Sequence, residues 1–122
     1  MSQGTRYPLI YKILTAADWQ SAERAGVFAG SAIDRQDGFI HFSTAAQVRE
    51  TAARHFAGQH DLRLVAVDTA ELEIRWEPSR GGALFPHLYG ALPLSAVREV
   101  CVLPLDAGIH RFPPHIPHVS QR

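Results

Sequence analysis

Two histidines stand out because each lies inside an apolar or aromatic segment. His41 is in GFIHFST (residues 38–44), and His87 is in FPHLYG (residues 85–90). An imidazole among apolar groups costs free energy unless its ring nitrogens find hydrogen-bond partners. Two such histidines in the two most aromatic segments predict a shared polar pocket, in which an imidazole can transfer protons near neutral pH. The alternative is two core histidines that are satisfied by neighbouring carbonyl groups.

The segment around His41 has the pattern of a strand that leads into a helix. Alternation places Phe39, His41 and Ser43 on one face of the strand. The residues from Thr44 to Gln47 match a capping box, so the second helix is expected to begin near Thr44. Free backbone N–H groups at a helix start stabilise phosphate or another anion. Ser43 and Thr44 therefore either help to bind an anion or only cap the helix, and the cap is the commoner role.

The segment around His87 offers two polar rings. His87 and Tyr89 are two positions apart and share a face if this segment is extended. Imidazole and phenol supply hydrogen-bond donors and acceptors, and both are flat surfaces on which a base or sugar can stack. The alternative is an aromatic core patch.

A third candidate is the tripeptide Arg75-Trp76-Glu77, in which alternation places Arg75 and Glu77 opposite a core Trp76. An arginine can bind phosphate bidentately, and a carboxylate near a histidine can orient it or act as a general base. A solvated ion pair on a strand face is the commoner arrangement. No metal site is expected, because no HxH, HxxxH or CxxC spacing is present and the tail histidines, His115 and His118, are expected to be solvated.

The elements that position these residues indicate an α+β fold. The 122 residues suit a single domain, with a core over about residues 9–105 and an extended C-terminal tail over 106–122. Helices are predicted over 16–25, capped by Thr15 and ended by Gly26, and from Thr44 to Gly58. Residues 27–37 and 78–82 are predicted to be loops. Strands are predicted over 9–14, 38–42, 61–68, 73–77 and 96–103, and this order favours α+β over a doubly wound sheet.

Composition narrows the class of protein. Twelve basic and twelve acidic side chains cancel, so the electrostatic footprint of a general nucleic-acid binder is missing. The single cysteine, Cys101, lies in a predicted buried strand and is expected to be an inert thiol in a reducing cytoplasm. No signal peptide and no membrane-length apolar run are visible. A cytoplasmic protein without membrane contact is therefore expected, and the sequence names no partner protein.

These motifs, taken in order, resemble the DUF952 family (domain of unknown function 952) of small bacterial proteins. The resemblance covers about residues 9–105 and rests on the segments IYKIL, DW, GFIHFST with Gln47, the strand over 61–68, RWE and FPHLYG. The family in turn distantly resembles the ADP-ribosyltransferase-like superfamily, which includes the RNA 2′-phosphotransferases. The resemblance therefore implies a bent, split β-sheet with two main helices and a cleft for NAD or ADP-ribose.

The resemblance also implies roles for single residues. His41 matches the second strand motif of the superfamily, whereas Lys12 stands where a histidine is common, and a lysine only donates hydrogen bonds. Glu77 and Glu99 are weak matches to the late glutamate of many transferases. We expect His41 and His87 to be catalytic in ADP-ribosyl or 2′-phosphate transfer. The alternative is a non-catalytic ligand sensor or interaction module. The expected ligand-binding residues are Lys12, Ser43, Thr44, Arg75 and Tyr89.

Overall fold

The computed structural model describes residues 9–116. The helices are α1 (Ala16–Ala25), α2 (Ala32–Asp37) and α3 (Val48–His55). The strands are β1 (Leu9–Thr15), β2 (Val27–Phe28), β3 (Ile40–His41), β4 (Leu62–Asp68), β5 (Ile74–Ser79), β6 (Ala83–Leu88), β7 (Leu92–Pro93), β8 (Val97–Leu103), β9 (Leu105–Asp106) and β10 (Ile109–His110). All of these strands pair antiparallel, and the α+β class is confirmed. Within this range no helix is long and apolar enough to cross a membrane.

The β-structure is divided among separate sheets. One three-stranded sheet has the order β1-β4-β8 and another has the order β3-β6-β5, while β2 pairs with β7 and β9 pairs with β10. The strand β4 is buried on both faces. Its Val65 and Val67 pack in a core with Leu88 of β6, and its Leu62 and Leu64 pack in a second core beneath α3. The strand β4, in the middle of the β1-β4-β8 sheet, therefore contributes side chains to both parts of the hydrophobic core.

The first helix follows its sequence signals. Thr15 Oγ1 accepts a hydrogen bond from the backbone N–H of Asp18 at 3.0 Å. Gly26 ends α1 with a φ of 79°, and its N–H donates to the carbonyl of Ala22 at 2.8 Å. Glycine adopts this left-handed conformation without the steric cost that other residues carry. The predicted range 16–25 is confirmed.

The prediction of a loop over residues 27–37 is wrong, because this stretch contains β2 and α2. The N–H of Ser31 donates to the Asp34 carboxylate at 2.9 Å, which is one arm of a capping box at the start of α2. Gly38, with a φ of 89°, ends the helix through an N–H bond to the carbonyl of Asp34. Strong signals at both ends support a helix of only six residues, and residues 9–116 contain three α-helices rather than the two predicted.

The predicted start of the second long helix at Thr44 is also wrong. Residues 45–47 form a turn, and α3 begins at Val48. The side chain of Gln47 accepts the N–H of Thr44 at 3.0 Å, while the carbonyl of Thr44 accepts the N–H of Val48. One arm of the predicted capping box is therefore present, but it closes a turn before the helix. The helix ends at His55, before Gly58.

Three smaller expectations fail as well. The tail is not simply extended, because β9 and β10 form a hairpin and Ile116 is buried in the core beneath α3. The predicted loop over 78–82 begins later, since β5 runs through Ser79 and a short 3₁₀ turn follows. Trp76 is 37% exposed rather than in the core, because β5 is an edge strand with a neighbouring strand on one side only. His118 lies outside the described residues.

Candidate functional site

A cavity of about 600 Å³ lies where β1, α2, β3, α3 and β6 meet. This volume is typical of small-molecule sites in proteins. Its walls combine apolar side chains with polar ones, and the polar ones that matter below are Lys12, Asp18, Asp34, Asp37, His41, Ser43, Thr51 and His87. We call this cavity the cleft.

The two predicted histidines lie side by side on adjacent strands. His41 of β3 pairs directly with His87 of β6, and Arg75 of β5 pairs with His87 from the other side. Directly opposed residues of antiparallel strands point to the same face of a sheet. The centroids of the two imidazole rings are 5.5 Å apart, and the ring planes lie at 73° to each other. The expected convergence of the two motifs is present, and both histidines line the cleft.

Phe39 packs against both imidazoles. Its ring centroid lies 4.1 Å from that of His87 in a stacked arrangement and 4.6 Å from that of His41. The ring of Tyr89 lies 5.2 Å away. Aromatic contacts at these distances restrict ring rotation and add about 0.5–1.5 kcal/mol to the burial term. The ring of Phe39 therefore restricts the orientation of both imidazole rings.

His87 is oriented by a carboxylate. Its Nδ1 atom lies 2.6 Å from Oε1 of Glu77, and the hydroxyl of Tyr89 donates to the same carboxylate at 2.9 and 3.1 Å. Hydrogen bonds from His87 and Tyr89 lower the pKa of Glu77, and the bond to Glu77 raises the pKa of Tyr89. When the neutral ring donates from Nδ1, Nε2 carries a lone pair. Within residues 9–116, Nε2 has no hydrogen-bond partner.

Asp34 is the centre of a second network, and the side chain is only 1% exposed. The ammonium of Lys12 lies 2.9 and 3.0 Å from its two oxygens, and Nδ1 of His41 lies 2.7 Å from Oδ1. Burial alone would raise the pKa of this carboxyl. The positive charge of Lys12 and the hydrogen bonds from His41, Lys12 and the Ser31 N–H lower the pKa by more than burial raises it. The pKa of Asp34 is therefore held well below its usual range. Asp34 is ionised at neutral pH.

His41 is placed between two carboxylates. Nδ1 faces Asp34, and Nε2 lies 2.9 Å from Oδ2 of Asp37. An imidazole donates from both nitrogens only when it is protonated. A protonated His41 can therefore donate a hydrogen bond to each carboxylate, whereas a neutral ring can donate to only one of them. His41 is about one-third exposed, in contrast to the buried His87.

Lys12 lines the cleft, but its charge is already paired. Burial lowers the pKa of the ammonium group, and the neighbouring Asp34 opposes this effect. The expectation that Lys12 meets a phosphate as a free point charge does not fit this arrangement, because the buried Asp34 carboxylate neutralises it at close range.

The ligand-binding role of Ser43 and Thr44 stays a prediction, and several of their polar groups are already engaged within the chain. Ser43 Oγ lies 2.8 Å from Thr51 Oγ1, and the backbone of Ser43 forms two hydrogen bonds with Tyr11. The N–H of Thr44 is used by the side chain of Gln47. Neither side chain caps α3, since Gln47 occupies the N-cap position. Ser43 lines the cleft and Thr44 does not.

Arg75 and Tyr89 do not line the cleft. The guanidinium carbon of Arg75 lies 4.6 Å from the ring centroid of Tyr89, which is a cation–π distance. Tyr89 in turn holds Glu77 in place. The expected ligand-binding role of these two residues stays a prediction, while their visible contacts support the carboxylate that orients His87.

Comparison with known proteins places the chain in a family. Residues 13–100 match the family model described as protein of unknown function DUF952. The chain belongs to the DUF952 family. It is similar to protein CC0527 from Caulobacter crescentus, with 49% identity and a TM-score of 0.84 to the crystal structure over 88% of this chain and 97% of that one. The solution NMR structure of CC0527 gives 51% identity and a TM-score of 0.76 over 84% and 90%. Among curated proteins, no match was found.

The cleft of this DUF952 protein has an acidic lining. Asp18, Asp34 and Asp37 face a single lysine, Lys12. A negative field attracts hydroxyl donors and cations and repels phosphate. The charges that line the cleft are therefore predominantly negative.

Two residues of the DUF952 site are absent from the candidates derived from the sequence. Asp34 and Asp37 hold His41 on both sides, yet both lie in the stretch predicted to be a loop. The spacing of Ser31 and Asp34 repeats that of Thr15 and Asp18, which correctly identified the start of α1. That repeated capping signal could have located α2 and drawn attention to Asp34.

Proposed function

We propose that the cleft binds a small nucleotide-like molecule through its sugar hydroxyls or a cationic ring, and that His87 acts there as a general base. The observation that carries this proposal is the 2.6 Å contact between Nδ1 of His87 and Glu77. A carboxylate behind an imidazole fixes its tautomer and orientation and stabilises the imidazolium that forms during proton transfer. The lone pair of Nε2 is then available to a proton donor in the cleft.

The charges in the cleft limit the ligand class. Asp34 is already paired with Lys12, but Asp18 and Asp37 favour hydroxyl groups and positive charge, and the oxidised nicotinamide ring of NAD carries such a charge. Phosphate groups would lie away from these carboxylates, nearer the exposed Arg75. NAD and ADP-ribose, the ligands that the resemblance to ADP-ribosyltransferase-like proteins implies, are consistent with this distribution.

The same resemblance supplies a reaction class. In ADP-ribosyl transfer, the bond between the ribose carbon and the nicotinamide nitrogen breaks and neutral nicotinamide leaves. The ribose carbon forms a bond to a nucleophile of the acceptor, and His87 takes the proton of that nucleophile. Transfer of a 2′-phosphate is the second reaction of this class. In either reaction, His41 would donate a hydrogen bond from Nε2 to the substrate after that nitrogen leaves the partly exposed Asp37 carboxylate.

A non-catalytic sensor is the second candidate function, and one observation favours it. Both oxygens of Asp34 already accept hydrogen bonds from Lys12, His41 or Ser31. Asp34 therefore has little capacity left to act on a substrate, and Lys12 occupies the place of a histidine in the superfamily pattern. A cleft of this kind could bind its ligand without turnover.

Titration calorimetry tests the proposal with NAD, ADP-ribose and a 2′-phosphorylated nucleotide. We expect micromolar binding of at least one compound, weakened about tenfold or more by His87→Gln and by His41→Ala. His60→Ala is the matched control, because His60 is exposed and does not line the cleft. Melting temperatures verify folding, and release of nicotinamide or phosphate separates the enzyme from the sensor. The proposal fails if no compound binds, or if His60→Ala weakens binding as much as His87→Gln.

A further inference from the structure

Outside the lining of the cleft, strand β8 and the C-terminal segment bring together three side chains of types that can ligate a metal ion. Glu99 and Cys101 belong to β8, and His115 belongs to the segment after β10. One ligand atom from each lies within 4.8 Å of the other two. Nε2 of His115 is 2.8 Å from Oε1 of Glu99. The three side chains thus converge on one point at the surface.

The fold positions these side chains through two independent restraints. Glu99 and Cys101 alternate with Val100, and their partners on β4 are Ala66 and Leu64, so both side chains are on one face of the sheet. On that face, Ile116 is 2% exposed within the core beneath α3, and its carbonyl accepts a hydrogen bond from Arg49 at 2.9 Å. His115 is therefore held next to β8 by its buried neighbour.

We propose that Glu99, Cys101 and His115 form a binding site for a thiophilic divalent cation of the zinc class. Thiolate and imidazole ligands favour zinc over magnesium or calcium, and a carboxylate oxygen completes a mixed donor set. Ligand bonds of about 2.0–2.3 Å in a tetrahedral site place the donor atoms about 3.3–3.6 Å apart. The contact between Glu99 and His115 must therefore open by about half an ångström. Both side chains are roughly half exposed, so rotamer changes allow it.

The arrangement has one open position. Three protein ligands leave the fourth corner of the tetrahedron to water or to another small donor, as in zinc sites that bind substrates. Binding displaces the thiol proton of Cys101, since the thiolate is the form that ligates. The bound cation would connect the C-terminal segment to β8, one of the two edge strands of the β1-β4-β8 sheet.

Cobalt titration tests this site directly. The full-length protein is stripped with a chelator and titrated with Co²⁺, and we expect one equivalent to give thiolate-to-cobalt absorption in the near ultraviolet, which Zn²⁺ abolishes by displacement. Cys101→Ser should remove the absorption band, and His115→Ala should weaken binding about tenfold or more. His60→Ala, an exposed histidine away from the cluster, should change neither. Circular dichroism in chelator shows whether each variant is folded without metal.

Several results would overturn the site. Absorption that does not saturate near one equivalent would indicate scattered surface binding. A band that survives in folded Cys101→Ser would exclude the thiolate as a ligand, and equal losses in His60→Ala and His115→Ala would exclude His115. If Mg²⁺ displaced Co²⁺ at concentrations similar to those of Zn²⁺, the residues would form an unselective acidic patch rather than a site for a thiophilic cation.

Discussion

Lys12 and Asp34 form an ion pair inside the protein, with Nζ 2.9 Å from Oδ2 and 3.0 Å from Oδ1. Their side chains are 8% and 1% exposed. Removing charges from water is costly, and the pair is tolerated because each charge compensates the other and Asp34 gains further hydrogen bonds from His41 and Ser31. The wall of the cleft therefore depends on two groups that cannot be altered independently.

The first prediction concerns this coupling. Lys12→Met is expected to lower the free energy of unfolding by about 3–5 kcal/mol, because it leaves a buried carboxylate with less compensation. Asp34→Asn should also destabilise, since it isolates the ammonium group. The double variant should lose less than the sum by at least about 1 kcal/mol in denaturant unfolding. Arg54→Met, which breaks an exposed pair with Glu50, should change stability by less than about 1 kcal/mol. Additive effects at Lys12 and Asp34 would contradict the coupling.

The second prediction is that the free energy of unfolding decreases at acid pH because Asp34 becomes protonated; we call this decrease the acid limb. The pKa of Asp34 is lower in the folded chain than in the unfolded chain, so the unfolded chain binds more protons between the two values. Stability is therefore fully present above the unfolded pKa and falls as pH drops from about 5 towards the folded pKa. Asp34→Asn should flatten this limb in urea midpoints measured across pH. Asp106→Asn, which alters an exposed carboxylate, should leave the limb in place. The same loss of stability at acid pH in the wild type and in Asp34→Asn would contradict the assignment of this loss to Asp34.

The third prediction concerns the tautomer of His87. In the neutral ring, the proton should reside on Nδ1, because that atom donates to Glu77. Ring ¹⁵N chemical shifts at neutral pH should identify Nε2 as the unprotonated nitrogen. Glu77→Gln should produce a mixture of tautomers or the other one, since an amide accepts less strongly than a carboxylate. Glu71→Gln, elsewhere on the surface, is the control. A proton on Nε2 in the wild type would remove the basis for a general base at that atom.

The fourth prediction concerns the hydroxyl pair of Ser43 and Thr51, whose oxygens are 2.8 Å apart. Ser43→Ala or Thr51→Val alone should destabilise by about 1–3 kcal/mol, because each leaves a hydroxyl with fewer partners in a buried place. The double variant should cost less than the sum, since both hydroxyls are then removed together. Thermal or denaturant unfolding measures the cycle. Independent effects would mean that the pair contributes no coupling.

The sequence was sufficient where local chemistry decides the structure. Thr15 and Gly26 specify both ends of α1, and alternation puts Ile40 in the core and His41 on the opposite face of β3. The spacing of FPHLYG predicts that His87 and Tyr89 share a face, and in the structure both side chains contact the same carboxylate, Glu77. Family membership could also be read from the order of the motifs.

The sequence was insufficient where partners come from distant elements. Lys12 and Asp34 are 22 positions apart, and no periodic pattern relates a strand residue to a residue in a six-residue helix. Short helices provide too few turns for an amphipathic pattern, so α2 is marked only by its ends. The segment after the C-terminal hairpin was misjudged for a different reason. Its sequence contains Pro113 and Pro114, which suggest an extended chain, whereas Ile116 is buried through tertiary packing.

The pairing of His41 with His87 also determines which changes in chain length the site can tolerate. Because opposed positions on β3 and β6 set the distance between the rings, a single residue inserted within β6 would turn His87 towards the core and Leu88 towards the cleft. An insertion in the turn over 80–82, by contrast, lengthens a connection between two strands that remain in register. Relatives that keep this site are therefore expected to vary in the turn and to conserve the length of the strand.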